Sequence, residues 1–462
     1  MKSADITLNY GDQVLSGFIH QEWIDTGKYL PPLLPPKIRV VKDVATALAR
    51  SLENPIGDVA PLGELVKKCV RAGDVAILVD DYTRPNDHTR RLLPLLADRL
   101  RQAYGIPIEK IKVVVCSGTH RTPTPAEMKK IVGKDMIPRV STVVHDCQKD
   151  LILAGTVEGH PLMVNRVAFS ADLVIPLTDV DNHYFAGVAG GPKSFCPGIC
   201  SREIITWEHL HMFDDHGFAD NVALGILDGN PVYECKKKVV GTIIDSMKKQ
   251  GREVYCLTAI VDPEGDLVYL EGGEIFAAHR AAASKLRDVW TVTLSRRPEV
   301  VICGAGTLGI NLYQAGKAIH AAYTAVERGG VILTAAPCQD GFGNDEFKKL
   351  MKLAADTISR EEDHDRAIEQ ATLKVLETVR KDYKIGKQKA VDFFRILAHV
   401  GWGHLHMIQD GLTAEDRKIL PLTFWGEADQ PAATRLASWV ERYGSGKTIT
   451  IIDNPGYVVN VQ

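Results

Sequence analysis

Asn182-His183-Tyr184-Phe185-Ala186-Gly187 is followed closely by Gly190-Gly191-Pro192-Lys193-Ser194, and His209 stands sixteen positions beyond the lysine. An amine and two imidazoles set around a glycine-rich loop can attach, ligate or exchange protons with a bound group. Glycines at this density let backbone approach such a group closely. His120 has similar surroundings, Ser117-Gly118-Thr119-His120-Arg121. Imidazoles titrate near neutral pH, so His120 and His183 suit a pair that takes a proton on one side of a centre and returns it on the other. Cys196 and Cys200 are the only close cysteine pair. At a helical i, i+4 spacing with no second cluster, they read as small apolar residues under a loop rather than as metal ligands. His399, His404 and His406 read as packing or surface histidines.

Elements that could position these residues are visible in the apolar pattern. Asp74–Val79, Ile111–Cys116 and Asp172–Leu177 are β-branched runs of strand length, and each ends in a polar loop: Asp81-Tyr82-Thr83-Arg84-Pro85, Ser117–Arg121, and the loop to Lys193. Such runs alternating with helices predict buried parallel strands. Ligands of such sheets bind beyond the carboxyl ends of the strands, where all three loops lie. Residues 253–270 predict an antiparallel hairpin turning at Asp262-Pro263-Glu264-Gly265, with a helix from Ile275 to about Val289 after it. A second unit begins near Ser295–Pro298, with a strand at Val300–Ile302, a helix from Tyr313 to Glu327 and a strand at Gly330–Leu333. Residues 344–400 predict charged helices broken at Lys384-Ile385-Gly386. The expected fold is α/β with two domains, each a mainly parallel sheet flanked by helices, and an active site in the interdomain cleft. The expected boundaries are 1–290, carrying Lys193 and the histidines, and 291–445, with 446–462 a terminal strand able to return to the N-terminal domain.

Composition narrows the class. The chain has 462 residues, 45% hydrophobic and 24% charged, with a net charge of −3. That is ordinary for a globular protein of two domains. Charges of both signs are interspersed, which gives no footprint for nucleic acid. No apolar run is long enough to span a bilayer, and the N-terminus lacks a signal-peptide core. Nine scattered cysteines argue for a reducing compartment, hence the cytoplasm.

Gly304-Ala305-Gly306-Thr307-Leu308-Gly309 lies between a strand and a helix and admits a second reading, a nicotinamide-dependent 2-hydroxy acid oxidoreductase. The following strand ends Thr334-Ala335-Ala336-Pro337, without an acid to hold a ribose, so a tight strand-to-helix turn competes with it.

Six motifs in order resemble the nickel-pincer lactate racemase family: Asp81–Pro85, Ser117–Arg121, His183–Gly187, Gly190–Ser194, His209, and Tyr313-Gln314-Ala315-Gly316-Lys317-Ala318. Asn9-Tyr10-Gly11 and Gly229-Asn230-Pro231 extend the match over most of the chain. The resemblance implies a racemase or epimerase that inverts C2 of a 2-hydroxy acid by hydride transfer. It implies a nickel-pincer nucleotide, a pyridinium-3-thioamide-5-thiocarboxylic acid mononucleotide, attached through Lys193, with His209 completing the nickel coordination and Asp81, Gly190 and Gly191 beside the cofactor. His120 and His183 match the acid/base pair. Arg84 and Lys317 match residues that hold the substrate carboxylate, and Tyr313 and Gln314 add hydrogen bonds. The partners implied are a small 2-hydroxy acid and the proteins that make and insert the cofactor, with no nucleic acid or membrane. A non-catalytic nickel or nucleotide carrier is the non-enzymatic alternative. The chain departs from the family at Pro192, where an arginine is common, at Gly309, where an acid is common, and at Gln388, in place of a tryptophan. These departures bear on the substrate.

Overall fold

The computed structural model describes residues 4–70, 73–427 and 429–462. The chain divides into a central unit, Pro36–Met212 with Asp220–Trp290, and a terminal unit, Met1–Pro35 with Phe213–Ala219 and Thr291–Gln462.

The central unit is built on seven strands: β1 (Val75–Asp80), β2 (Ile111–Cys116), β3 (Ser141–Val144), β4 (Leu173–Asp179), β5 (Glu253–Val254), β6 (Cys256–Val261) and β7 (Leu267–Gly273). Their order is β7-β6-β4-β1-β2-β3, with β5 on β4, and every pairing is parallel except the β6–β7 hairpin. The strands are apolar on both sides because helices cover both faces. Val75, Ile77 and Val79 of β1 pack with Leu92, Leu93 and Leu96 of α1 (Asp87–Tyr104). Ala76 and Leu78 face the other way, toward Ile204 and Ile205 of α2 (Arg202–Leu210) and Val239, Val240 and Ile243 of α3 (Pro231–Lys249). Each valine, leucine or isoleucine side chain so withdrawn from water contributes about 2 kcal/mol. Helix α4 (Ile275–Trp290) follows the hairpin, as its sequence pattern predicts.

From β1 the chain moves outward to β2 and β3, then returns to β4 on the other side of β1. The β1 and β4 connections therefore leave in opposite directions, which opens a crevice at their carboxyl ends. Asp80 closes β1 and Asp179 closes β4, and the loops carrying Arg84 and Lys193 start there.

The terminal unit has a five-stranded, all-parallel sheet of β8 (Val300–Gly304), β9 (Val331–Ala335), β10 (Leu405–Ile408), β11 (Thr423–Phe424) and β12 (Ile449–Ile452), in the order β11-β10-β9-β8-β12. Helix α5 (Leu312–Ala325) joins β8 to β9. The charged stretch forms three helices, α6 (Asp345–Ile358), α7 (His364–Lys381) and α8 (Gln388–Val400). Besides the predicted break at Gly386 (φ 105°), a second falls where Asp363 caps α7.

The division differs from the boundaries read in the sequence. Residues 446–462 do not return to the larger sheet: β12 pairs with β8, and Val458–Val461 pairs with Thr291–Leu294, all within the terminal unit. Residues 1–35 and 213–219 also belong to that unit. The reason is apolar: Leu8, Tyr10, Phe18, Ile19 and Trp23 share a core with Val300, Ile302 and Trp439.

Candidate active site

Asp81 anchors the first loop. Its buried carboxylate accepts hydrogen bonds from Thr83 N (3.0 Å) and Thr83 Oγ1 (2.5 Å), and lies 2.6 Å from His120 Nδ1. Burial works to raise the Asp81 pKa, but the hydrogen bonds and charge of His120, with those of Thr83, outweigh it and hold the carboxyl below its ordinary value. An ionised carboxylate only accepts, so His120 donates from Nδ1 and, when neutral, carries its lone pair on Nε2. The ring is about one-third exposed, its partner Asp81 only 5%. His120 is thus an anchored, partly exposed imidazole.

His183 is held differently. The Ala186 N–H donates to its Nδ1 at 3.3 Å, which places the proton of the neutral ring on Nε2. Tyr184 stacks with the ring at 5.5 Å and Phe185 meets it edge-on at 4.4 Å. Burial drives the His183 pKa well below its ordinary value, and the positive charges of Lys193, Arg84, Lys236 and His209 add to the shift. The ring is neutral at pH 7.

Lys193 lies in a tight turn, Gly191–Ser194. The turn requires glycine: Gly190 and Gly191 have φ of 84° and 49°, and a methyl group on Gly191 would come within 2.7 Å of His279 Cβ. Thr178 Oγ1 accepts the Gly191 N–H at 2.9 Å, and His279 Nε2 donates to Ala189 O at 3.0 Å, pinning the loop from both sides. Among the described residues Lys193 has no ion-pair partner. Burial, then Arg84 and Lys236, push its pKa well below that of a free lysine, which favours the neutral, nucleophilic amine. The buried hydroxyls of Ser194 and of Ser117, in the neighbouring loop, have no hydrogen-bond partner. Buried hydroxyls left unpartnered among the described residues, in the lysine turn and in the loop beside it, suit a polar bound group.

His209 sits near the C-terminus of α2, 5% exposed. Its Nδ1 lies 2.6 Å from Glu208 Oε2, and Lys236 Nζ lies 3.2 Å from Glu208 Oε1. These contacts are off-axis for hydrogen bonds, so charge attraction is their main component. Burial works to raise the Glu208 pKa, but Lys236 and His209 hold it down to about 2. Among the described residues, no group of three or more His, Cys, Asp or Glu could hold a metal ion. An ion at His209 would take its remaining donors from a bound group.

Arg84 is ringed by carboxylates. Burial opposes its charge, but Asp181, Asp80, Asp81 and Asp179 together keep the guanidinium ionised. Behind it, His88 on α1 lies 3.3 Å from Asp80 Oδ2, which also accepts the Asp179 N–H at 3.1 Å. Burial, with Asp181 and Asp80, pushes the Asp179 carboxyl up to about 7 against the pull of His88 and Arg84. The crevice between β1 and β4 therefore brings Arg84, His183 and Lys193 within electrostatic influence of one another, and that proximity works against charge on the last two. Sequence reasoning named these three and missed Asp80, Asp179, His88, Glu208 and Lys236. The Asp80-Asp81 doublet and the Glu208-His209 pair were the available signals.

In the terminal unit, Tyr313, Gln314 and Lys317 lie in the first two turns of α5, with Tyr313 and Lys317 an i, i+4 pair on one face. Asn311 caps the helix by accepting the Gln314 N–H at 2.9 Å. The glycines before it serve packing. A Cβ on Gly304 would lie 2.5 Å from Asn9 O, and one on Gly309 2.8 Å from Pro337 Cδ. Tyr10 forms a bridge with Gly306, and Asn9 donates from N and Nδ2 to both oxygens of Asp453 at 2.7 Å. The crevice between β8 and β12, where a dinucleotide would bind such a sheet, thus holds the chain's own N-terminal segment. Cys196 and Cys200 are fully buried among Phe195 and Ile199, in a succession of turns rather than the expected helical pair. His399, His404 and His406 each meet a different backbone carbonyl.

The sequence model of the lactate racemase N-terminal domain matches residues 20–220, and that of the lactate racemase C-terminal domain matches residues 295–387. A lactate racemase from Thermoanaerobacterium thermosaccharolyticum is 32% identical over 313 residues, covering 66% of this chain and 69% of the relative. The chain belongs to the lactate racemase family. It is an isomerase of the racemase kind. A lactate racemase from Lactiplantibacillus plantarum is 28% identical over 331 residues, 71% of this chain and 73% of that one. The lactate racemase apoprotein structure from Thermoanaerobacterium thermosaccharolyticum superposes with a TM-score of 0.78 at 25% identity, over 99% of this chain and 100% of that chain. A protein from Thermotoga maritima shares the fold at a TM-score of 0.61 and 18% identity, over 87% of this chain and 96% of that one.

Proposed function

We propose that the protein racemises or epimerises C2 of a 2-hydroxy acid, using a nickel-pincer nucleotide tethered through Lys193 with His209 on the nickel. The observation that carries this reading is the half-buried Lys193, which among the described residues has no ion pair and whose pKa is pushed well down, in a turn with the unpartnered hydroxyl of Ser194 and next to the loop with that of Ser117. A pincer group supplies two sulfur donors and a ring carbon, which meets the need for donors beyond His209. When bound, it supplies a hydride acceptor and donor for C2.

The chain's own residues bind and move protons. Arg84 takes the substrate carboxylate, a role suited to a fixed positive charge. His120 accepts the C2 hydroxyl proton on Nε2, and Asp81 steadies the ring that becomes charged. His183 is the other member of the pair: its Ala186 contact leaves the proton of the neutral ring on Nε2, which hydrogen-bonds to the substrate oxygen while the proton held by His120 returns to it. The proton taken from the hydroxyl is thus the proton restored, and both rings end each turnover neutral. Lys317, Tyr313 and Gln314 take the substrate-binding roles that the family resemblance implies.

Two of the three departures from the family have local structural explanations. Gln388 Oε1 accepts the Gly386 N–H at 2.8 Å, in the turn that starts α8, and Pro337 leaves no room at Gly309 for an acidic side chain. The substrate class in this reading is a 2-hydroxy acid, lactate or larger, its carboxylate assigned to Arg84 and its hydroxyl to His120. All nine cysteines are free, which supports a cytoplasmic enzyme served by proteins that make and insert the cofactor.

The test is intact and peptide mass with nickel quantification on protein produced together with the cofactor pathway. A mass increment on Lys193 with one nickel per chain is expected. Racemisation of substrate deuterated at C2 should retain the label. No adduct, under conditions that load a known lactate racemase, overturns the tether. Loss of label to water replaces hydride transfer with proton abstraction.

A further inference from the structure

We infer that Glu208 and Lys236 are positioning residues that orient His209 for metal binding, an assignment that rests on the reading of His209 as the nickel ligand. Glu208 is 0% exposed and Lys236 3%. Burying a carboxylate and an ammonium together is costly, and apolar residues of similar size often serve stability as well or better. The surroundings are apolar: Ile204, Ile205, Cys235, Val239 and Val240 belong to the same core. Lys236 stands in a run of three lysines, yet Lys237 and Lys238 turn outward, to Glu234 and Glu158. Only Lys236 points inward, to Glu208 Oε1 at 3.2 Å, while Oε2 meets His209 Nδ1 at 2.6 Å.

The arrangement follows the carboxylate–histidine–metal pattern, in which an acid holds one ring nitrogen so that the other faces the ion. A carboxylate oxygen 2.6 Å from Nδ1 draws the ring proton to that nitrogen by charge, even off the hydrogen-bond axis, and so leaves the Nε2 lone pair as the donor. Lys236 fixes the carboxylate's rotamer and balances its charge. Phe185, with its ring centroid 5.2 Å from that of His209, limits tilting of the imidazole.

The experiment uses protein loaded by the cofactor pathway, comparing wild type with Glu208→Gln and Lys236→Met. Nickel release to excess EDTA is followed alongside the Lys193 adduct mass. Glu208→Gln should keep the adduct and release nickel about 10- to 100-fold faster; release at the wild-type rate overturns the proposal. Lys236→Met should act in the same direction. A second readout needs no variant and no cofactor: 15N shifts of the His209 ring in unloaded wild-type protein. A ring protonated at Nδ1 is expected, and a neutral ring protonated only at Nε2 overturns the proposal even if a variant fails to fold. Absence of the adduct from wild type counts against the underlying nickel reading, and the ring shifts then still decide the role of Glu208.

Discussion

The two parallel sheets of this chain present the same topological opportunity and use it in opposite ways. In the central unit the reversal of strand order between β1 and β4 opens onto Asp80, Asp179, Arg84 and the Lys193 turn. In the terminal unit the corresponding reversal, between β8 and β12, receives Asn9 and Tyr10. Glycine marks both places. At Gly190 and Gly191 it bends a loop bearing an amine, whereas at Gly304 and Gly309 it admits neighbouring backbone and a proline ring. A switch point predicts where a ligand can bind, and the residues facing it decide whether one does.

The contrast is broken most directly at Lys193. Lys193→Ala should abolish both the adduct and turnover, and a variant that still racemises would move the tether elsewhere. His120→Ala and His183→Ala should lower kcat by about 10²- to 10⁴-fold while the adduct mass persists. Loss of adduct in either variant would make that histidine a cofactor-binding residue instead.

Protonation gives a comparison internal to each unit. His279, against the Lys193 loop, and His406, on β10, are both buried, and burial pushes each pKa down to about 4. A histidine whose folded pKa is lowered stays neutral in the fold while the unfolded chain takes up a proton. Its stability contribution is complete above about pH 6.5 and is lost as pH falls toward 4. For each ring the loss is about 3 kcal/mol across that window. Asp179, raised to about 7, has the opposite sign: its contribution is present at low pH and lost as pH rises through 7. Urea unfolding from pH 7 to 4.5 should therefore show acid lability that His406→Gln and His279→Gln each flatten by a similar amount, whereas Asp179→Asn steepens it by removing the opposing trend. A profile that Asp179→Asn leaves unchanged would remove Asp179 from the balance.

Much of this was legible in the sequence because buried parallel strands declare themselves as β-branched runs, and loop chemistry follows from where those runs end. Val75–Asp80, Ile111–Cys116 and Leu173–Asp179 lie where their patterns predict. The membership of residues 1–35 and 213–219 was not legible, since it depends on contacts hundreds of residues apart, such as Leu8 with Val300 and Ile302. Charged residues hide for a related reason. Lys236 is one of three consecutive lysines and Glu208 is one acid on an amphipathic helix, so nothing local distinguishes a buried ion pair from a solvated one. The turn at Gly304 was ambiguous in principle, because nucleotide binding and close backbone packing demand the same small residues at the same spacing.

The smallest expected effect tests that ambiguity. Asn9→Ala removes one of two hydrogen bonds at this site: the side-chain bond to Asp453 is lost outright, while the Asn9 backbone N–H still has Asp453 Oδ1 as its acceptor. A charge-assisted bond of this kind contributes about 1.5 to 3 kcal/mol at most, and water can reach a half-buried carboxylate to replace part of it. Burial already raises the Asp453 pKa above its ordinary value, against the backbone hydrogen bond from Asn9. The expected loss is therefore about 1 kcal/mol by urea denaturation, with nickel content and adduct mass unchanged. If Asn9→Ala instead gained measurable affinity for NAD or NADP, the N-terminal segment would be a plug over a working dinucleotide site, and the two switch points would differ in occupancy rather than in kind.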